Sequence, residues 1–320
     1  MTRVSAGARL HAGFQNLSLA HERLYGGVGV ALAEPRVTVE AHPTEGVDCP
    51  DPLVTEYASR VCEVLDVPGA AVTVEETLPR HVGLGSGTQL ALATLAAIAG
   101  AYDHEPRVRE RAPALGRGGR SGVGVAGFEA GGFVVDAGHP TERFTTDRPA
   151  DGAWTVPPVV ARHTLPDDWR FLVVLPEATT GRSGEDEDAS MRSVVERADP
   201  GIADELATLL VRRLLPAAAA GQFDDFAGAL AAFGRLNGAW YADEQGGVYR
   251  PPAGELVERL RESHAVGGVG QSSWGPAVYG LTTIDRAAEA CEAATAALDR
   301  VGVDGEVLLA CPADRGARIE

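Results

Sequence analysis

Between Ala71 and Ala99 the chain has to pass from a strand to a helix through a glycine-rich hexapeptide, and that passage dictates much of what can be built around it. Ala71–Thr77 alternates apolar and polar residues, the period of a strand with one buried face. Pro79 ends it, and Gln89–Ala99, dense in Ala and Leu, predicts a well-buried helix. The connection reads Gly83-Leu84-Gly85-Ser86-Gly87-Thr88. Glycine lets such a backbone turn consecutive N–H groups toward a ligand, and a helix start adds unpaired donors and partial positive charge. The combination predicts a phosphate cradle. A plainer alternative is a strand–helix turn in which Ser86 or Thr88 is simply an N-cap.

The 320 residues suffice for two ordinary domains with sizeable cores. No apolar run reaches the length of a membrane span, and the start of the chain lacks the form of a signal peptide, so a soluble cytoplasmic protein without a membrane partner is expected. Cys49, Cys62, Cys291 and Cys311 are scattered and suggest neither a disulfide frame nor a zinc site. There are 45 acidic residues against 28 basic ones, every basic one being Arg, for a net charge of −17. That balance predicts a halophilic host, with some contribution from a GC-rich genome, and disfavours nucleic acid as a partner. A polyanionic ligand must therefore be met by local arginines and backbone donors.

Val4–Leu19 reads as short strand-like pieces, Leu24–Leu32 as a glycine turn entering a strand, and Pro35–Ala41 as a further strand. Gly116–Gly132 contains a formal G-x-G-x-x-G at Gly122, Gly124 and Gly127. No strand leads into it and Gly132–Asp136 looks like a strand, so a dinucleotide fingerprint is rejected. Arg117, Arg120 and Ser121 make it a candidate second anion contact, the plainer alternative being a tight loop with solvated arginines. The polar, Pro-rich Thr141–Ala161 marks a domain boundary. Trp169–Pro176 predicts a buried strand, and Glu177–Asp188 a loop ending in an acidic run. Helical spacing follows in Asp204–Pro216, Phe223–Trp240, Gly254–His264 and Ile284–Val301, with a last strand at Glu306–Cys311. The order predicts an α+β fold.

Several chemistries are excluded. A P-loop and Schiff-base catalysis need lysine, and the chain has none. Metalloprotease, deaminase and serine-hydrolase motifs are missing too. Among the histidines, His11 and His81 lie beside glycine-rich or Arg-bearing motifs and remain candidates for acid–base or phosphate-contact roles.

Three glycine motifs, LYGGVGVAL (24–32), PRHVGLGSGTQLALA (79–93) and VGGVGQSSWG (266–275), resemble the GHMP kinase superfamily. The resemblance implies a ribosomal-protein-S5-type N-terminal domain over 1–160, a ferredoxin-like domain over 161–320, and a homodimer. Four longer stretches, at 9–14, 81–93, 116–138 and 268–276, are similar to the β-ribofuranosylaminobenzene 5′-phosphate synthase branch. That branch joins 5-phosphoribosyl 1-diphosphate to 4-aminobenzoate and releases CO₂ and diphosphate. Kinases of the superfamily commonly read S-G-x-D where this chain reads Ser121-Gly122-Val123-Gly124, so the usual carboxylate base is replaced by Gly124.

The resemblance implies that Gly83, Gly85, Ser86, Gly87 and Thr88 hold the diphosphate, with Arg117, Arg120 and Ser121 facing it. Gln271, Ser272 and Ser273 are expected to close the site, with Trp274 a stacking surface or an interface residue. Arg9 and His11 would engage the benzoate carboxylate or the 5-phosphate. Arg9, His11, Arg120, Gln271 and Ser272 are the expected catalytic set. Mg²⁺ is the expected cofactor, on Thr88 and Glu185. The alternatives are an ATP-dependent small-molecule kinase using another base, such as Asp136 or a loop acid, and a non-catalytic nucleotide sensor.

Overall fold

The computed structural model describes residues 1–142, 144, 146, 149–179 and 185–320, without the side chains of Glu185 and Asp186. Two strands dominate the first half. Thr2–Asn16 alternates buried and half-buried residues to Ala8, then sinks entirely between layers from Leu10 to Gly13. It pairs antiparallel with Arg23–Pro43, which in turn pairs with Gly69–Glu76 and Phe133–Asp136. The sequence suggests several short pieces here because bulges between Gly7 and Arg9 and between His11 and Gly13 break the two-residue period.

Helix Ser86–Ala101 lies on this sheet with every residue from Gln89 to Ala99 buried, as a helix apolar on all sides must be. It starts three residues before the expected Gln89, so Ser86, Gly87 and Thr88 form its first turn. The glycine-rich passage after it departs further from expectation: Val123–Ala130 is a helix. Its glycines let it approach closely, for a Cβ on Gly127 would sit 3.3 Å from that of Ala31 and one on Gly124 3.1 Å from the Thr88 methyl. Tertiary packing here overrides poor helix propensity.

The second sheet is antiparallel, with strands Gly305–Ala310, Trp169–Pro176, Val278–Thr283 and Gly267–Gln271 side by side. Numbered along the chain, that is fourth, first, third, second: the ferredoxin-like arrangement. Trp169–Pro176 is buried on both faces, Phe171, Val173 and Leu175 facing the main core. Leu172 and Val174 join a smaller core under helices Ala253–Arg261 and Ala287–Val301. The expected boundary at 160/161 cuts the Val159–His163 strand, which belongs to the first sheet. Arg318–Ile319 also returns to the first sheet, beside Val4 and Ser5.

One helix, Phe223–Trp240, packs on both sheets. Phe226 meets Phe133 of the first sheet edge-on at 5.2 Å and Trp169 of the second at the same distance. Asn237 donates to the Phe14 carbonyl. Among the described residues, no helix is long and apolar enough to cross a membrane.

Candidate active site

Where the two sheets approach, a cavity of about 670 Å³ opens over the start of helix Ser86–Ala101. Gly85 is the N-cap, at φ +75°, and no side chain caps the turn. The reading of Ser86 or Thr88 as N-cap is thereby corrected. The Thr88 and Gln89 amides donate to the Gly85 carbonyl, while no acceptor among the described residues meets those of Ser86 and Gly87. Gly83, Gly85, Ser86, Gly87 and Thr88 all line the cavity. A glycine-fronted, uncapped helix start facing open space has the donors and dipole that an anion requires.

Arginines converge on this turn. Arg9 Nη1 donates to the Gly83 carbonyl at 3.1 Å, and a Cβ on Gly85 would lie 2.8 Å from Arg9 Cγ. Burial lowers the Arg9 pKa to about 10, partly opposed by Glu187, so its charge persists at neutral pH. Arg117 lies over Gly87, its guanidinium nitrogens 3.4 and 3.5 Å from where a Cβ would stand, and it is held by the Tyr57 hydroxyl. Tyr57, on the buried face of helix Pro52–Leu65, is thus a site residue that the sequence conceals.

Arg120 also lines the cavity, but it is ion-paired with Glu187 and Asp188. Burial works against its charge, and Glu187, Tyr25 and Asp188 together outweigh that, raising its pKa. The expected free anion contact is therefore a cation already shared with two carboxylates, and a ligand must compete for it. Ser121 faces the cavity but donates to Asp136 Oδ2 at 3.1 Å.

The third glycine motif works differently from its sequence reading. Ser272 is fully buried and does not line the cavity; its hydroxyl accepts from the His11 amide and donates to the Gly83 carbonyl. Gln271 accepts from the Arg250 amide and donates to the Ser273 carbonyl. Ser272 is thus occupied in joining the domains, away from the cavity, which corrects its expected catalytic role, whereas Gln271 lines the cavity while bonding within its own domain. Ser273, at φ +56°, donates its amide to the His11 carbonyl. Trp274 is buried edge-on against Tyr241 at 4.7 Å, and both line the cavity. Exposed His81 stands at the cavity wall.

His11 is buried, and its Nε2 meets no hydrogen-bond partner among the described residues, although the residue lines the cavity. Burial, and then the charge of Arg9, press its pKa well below the ordinary value, so the imidazole is neutral.

Asp136, the alternative base, is fully buried and does not line the cavity. It accepts from the Gly138 and Gly122 amides and the Ser121 hydroxyl, and so fixes the loop that carries Arg120. A base must reach substrate, and this one does not. Burial raises its pKa from 3.8 to about 6, with the hydrogen bonds opposing. The folded state thus favours the protonated form, and the associated stability, on the order of 3 kcal/mol, is present below the unfolded pKa and lost as pH rises through 6. Denaturant unfolding should show wild type gaining on Asp136→Ala as pH falls from 7 to 4; a constant gap would contradict the shift.

Among the described residues no three His, Cys, Asp or Glu side chains gather as a cation cage. The Glu185 side chain lies outside the described residues. Thr88 faces the cavity, as do Glu187 and Asp188, so this donor set suits a cation that brings its own oxygen ligands.

Residues 52–132 match the family profile "GHMP kinases N terminal domain" and 214–300 "GHMP kinases C terminal". The chain is 32% identical to β-ribofuranosylphenol 5′-phosphate synthase of Methanothermobacter thermautotrophicus over 294 residues, 87% of this chain and 88% of the relative. It is also 32% identical to the enzyme of that name from Archaeoglobus fulgidus, over 88% of each chain. In structure it resembles homoserine kinase from Cytophaga hutchinsonii, with TM-score 0.69 and 15% identity, covering 100% of this chain and 97% of that one.

Proposed function

The chain belongs to the GHMP kinase superfamily, in the branch of the β-ribofuranosylphenol 5′-phosphate synthases, and from that premise we propose a decarboxylating phosphoribosyl transfer. The donor is 5-phosphoribosyl 1-diphosphate and the acceptor a 4-hydroxy- or 4-aminobenzoate. The products are the C-riboside 5′-phosphate, CO₂ and diphosphate.

One observation supports this reading: donors for a departing diphosphate surround a cavity in which neither Gly124 nor Asp136 offers a carboxylate and the acids beside Arg120, Glu187 and Asp188, are ion-paired with it. Gly124 has no side chain and abuts Thr88, and Asp136 is sealed away. A phosphoribosyl transfer has little need of such a base, because its barrier lies in losing diphosphate from an oxocarbenium-like carbon. The Ser86 and Gly87 amides, Arg9 and Arg117 hold the leaving group, and Arg120 joins them on exchanging its carboxylates for phosphate oxygens. Mg²⁺ carried in on the diphosphate would be held by Thr88 Oγ1 and Glu187, and supplies charge neutralisation of the leaving group. Tyr241 and Trp274 give the aromatic ring an aromatic wall.

The test is product analysis in molar KCl, the condition that a charge of −17 recommends. Incubation with phosphoribosyl diphosphate and either benzoate should release CO₂ and diphosphate in equal amounts. ADP formation from ATP and a small alcohol, without CO₂ from the first pair, would establish a kinase instead.

A further inference from the structure

Five arginines line the cavity, and four of them already have a partner that a ligand would have to share. Arg60 is ion-paired with Glu56 and Asp151, Arg80 with Asp51, and Arg120 with Glu187 and Asp188. Arg9 donates to the Gly83 carbonyl. Arg117 differs: no carboxylate among the described residues pairs with it, and its Nη2 donates to the phenol oxygen of Tyr57. We infer that Tyr57 is a positioning residue for the diphosphate: its hydroxyl fixes the Arg117 guanidinium over the phosphate turn and leaves the charge of that cation unspent. The inference takes the identity of the ligand from the phosphoribosyl-transfer reading and deepens it.

The arrangement starts from helix Pro52–Leu65, which turns Leu53, Glu56, Tyr57 and Arg60, residues at helical spacing, to the cavity. Tyr57 is only 4% exposed and its ring packs in the main core, so its oxygen has a fixed place. Arg117 is anchored at its backbone as well. Its amide donates to the Ala112 carbonyl at 2.9 Å, and Trp154 Nε1 donates to its carbonyl at 3.1 Å. Between these anchors the guanidinium spans to Gly87, with Nη2 and Nη1 at 3.4 and 3.5 Å from where a Cβ would stand. Gly87 carries one of the two helix-start amides that no described acceptor meets. Arg117 Nε is shut off from solvent, so a ligand meets the two Nη atoms, whose remaining hydrogens suit phosphate oxygens.

The kind of partner matters as much as its place. A carboxylate would hold the guanidinium equally well, but it would cancel the charge and repel an incoming diphosphate, as Glu187 and Asp188 do at Arg120. A hydroxyl accepts the hydrogen bond and brings no charge. An untethered arginine would also give up its rotamer freedom on meeting the ligand, at a cost in affinity. Tyr57 settles that ordering beforehand. Arg117 therefore receives the diphosphate first, and Arg120 follows by exchange.

Calorimetric titration of inorganic diphosphate in molar KCl tests this on wild type, Tyr57→Phe, Arg117→Ala and the double variant. Tyr57→Phe keeps the ring in the core and removes only the acceptor, and thermal melting checks that each variant folds. Tyr57→Phe should weaken diphosphate about tenfold and Arg117→Ala about 100-fold. The double variant should fall within about twofold of Arg117→Ala, because a residue that acts through Arg117 then has nothing to position. In turnover, Tyr57→Phe should lower kcat/KM for phosphoribosyl diphosphate and leave KM for the benzoate unchanged, a split that a general loosening of the fold would not give. Wild-type affinity in Tyr57→Phe overturns the assignment, and so does a further tenfold loss when Tyr57→Phe is added to Arg117→Ala. Wild type that binds diphosphate and follows this cycle, yet releases no CO₂ from either benzoate, removes the transferase reading while leaving Tyr57 as the residue that places Arg117.

Discussion

Arg9→Ala lowers kcat/KM for phosphoribosyl diphosphate by about 10³-fold, or about 4 kcal/mol of transition-state stabilisation, and leaves the fold intact. Arg9 is half-buried at the cavity wall, and the burial that lowers its pKa leaves its charge poorly solvated and so strongly felt by a ligand. The fold survives because the strand there is held through its backbone, the Arg9 amide donating to the Leu84 carbonyl. Arg9→Lys recovers only a fraction, since an ammonium cannot span the Gly83 carbonyl and a ligand oxygen as a planar fork does. Steady-state kinetics decide the matter: a loss below tenfold would reduce Arg9 to a prop for the Gly83–Gly85 turn.

Gly83→Val is expected to remove both activity and stability. Gly83 lies at φ +103°, a region that β-branched residues avoid, and an added Cβ would stand 2.3 Å from the Ser272 carbonyl oxygen. The Gly83 carbonyl also accepts from Arg9 and from the Ser272 hydroxyl, so moving it displaces the phosphate turn and the interdomain contact together. The combined strain and lost hydrogen bonds amount to about 3–5 kcal/mol. Denaturant midpoints and turnover should fall in parallel. A variant that melts like wild type and keeps its activity would show that this junction yields where the structure has it rigid.

The sequence and the structure agree where periodicity is strong and local. Trp169–Pro176 and Phe223–Trp240 have the bounds that their apolar spacing predicts, and the 83–88 loop fronts the cavity. Disagreement arises where long-range packing decides. Val123–Ala130 looks like a loop because glycines weaken a helix, yet those glycines exist to bring it against Ala31 and Thr88. Arg120 reads as a free cation, but its partners come from 67 and 68 residues away. Gln271 and Ser272 carry hydroxyl and amide groups fit for catalysis, and only coordinates show those groups spent on carbonyls and amides of neighbouring loops.

The Phe223–Trp240 helix, packed on both sheets, and the Gly83–Ser272 contact tie the two halves at separate places. Swinging one half against the other, like jaws, would have to break both ties at once. A recess braced in that way stands ready for its substrates but does little to keep solvent out. A sugar cation formed in it meets whatever lies nearest, and water competes with carbon for that encounter. The benzoate therefore has to serve as its own stopper, filling the space in front of the ribose before the diphosphate departs.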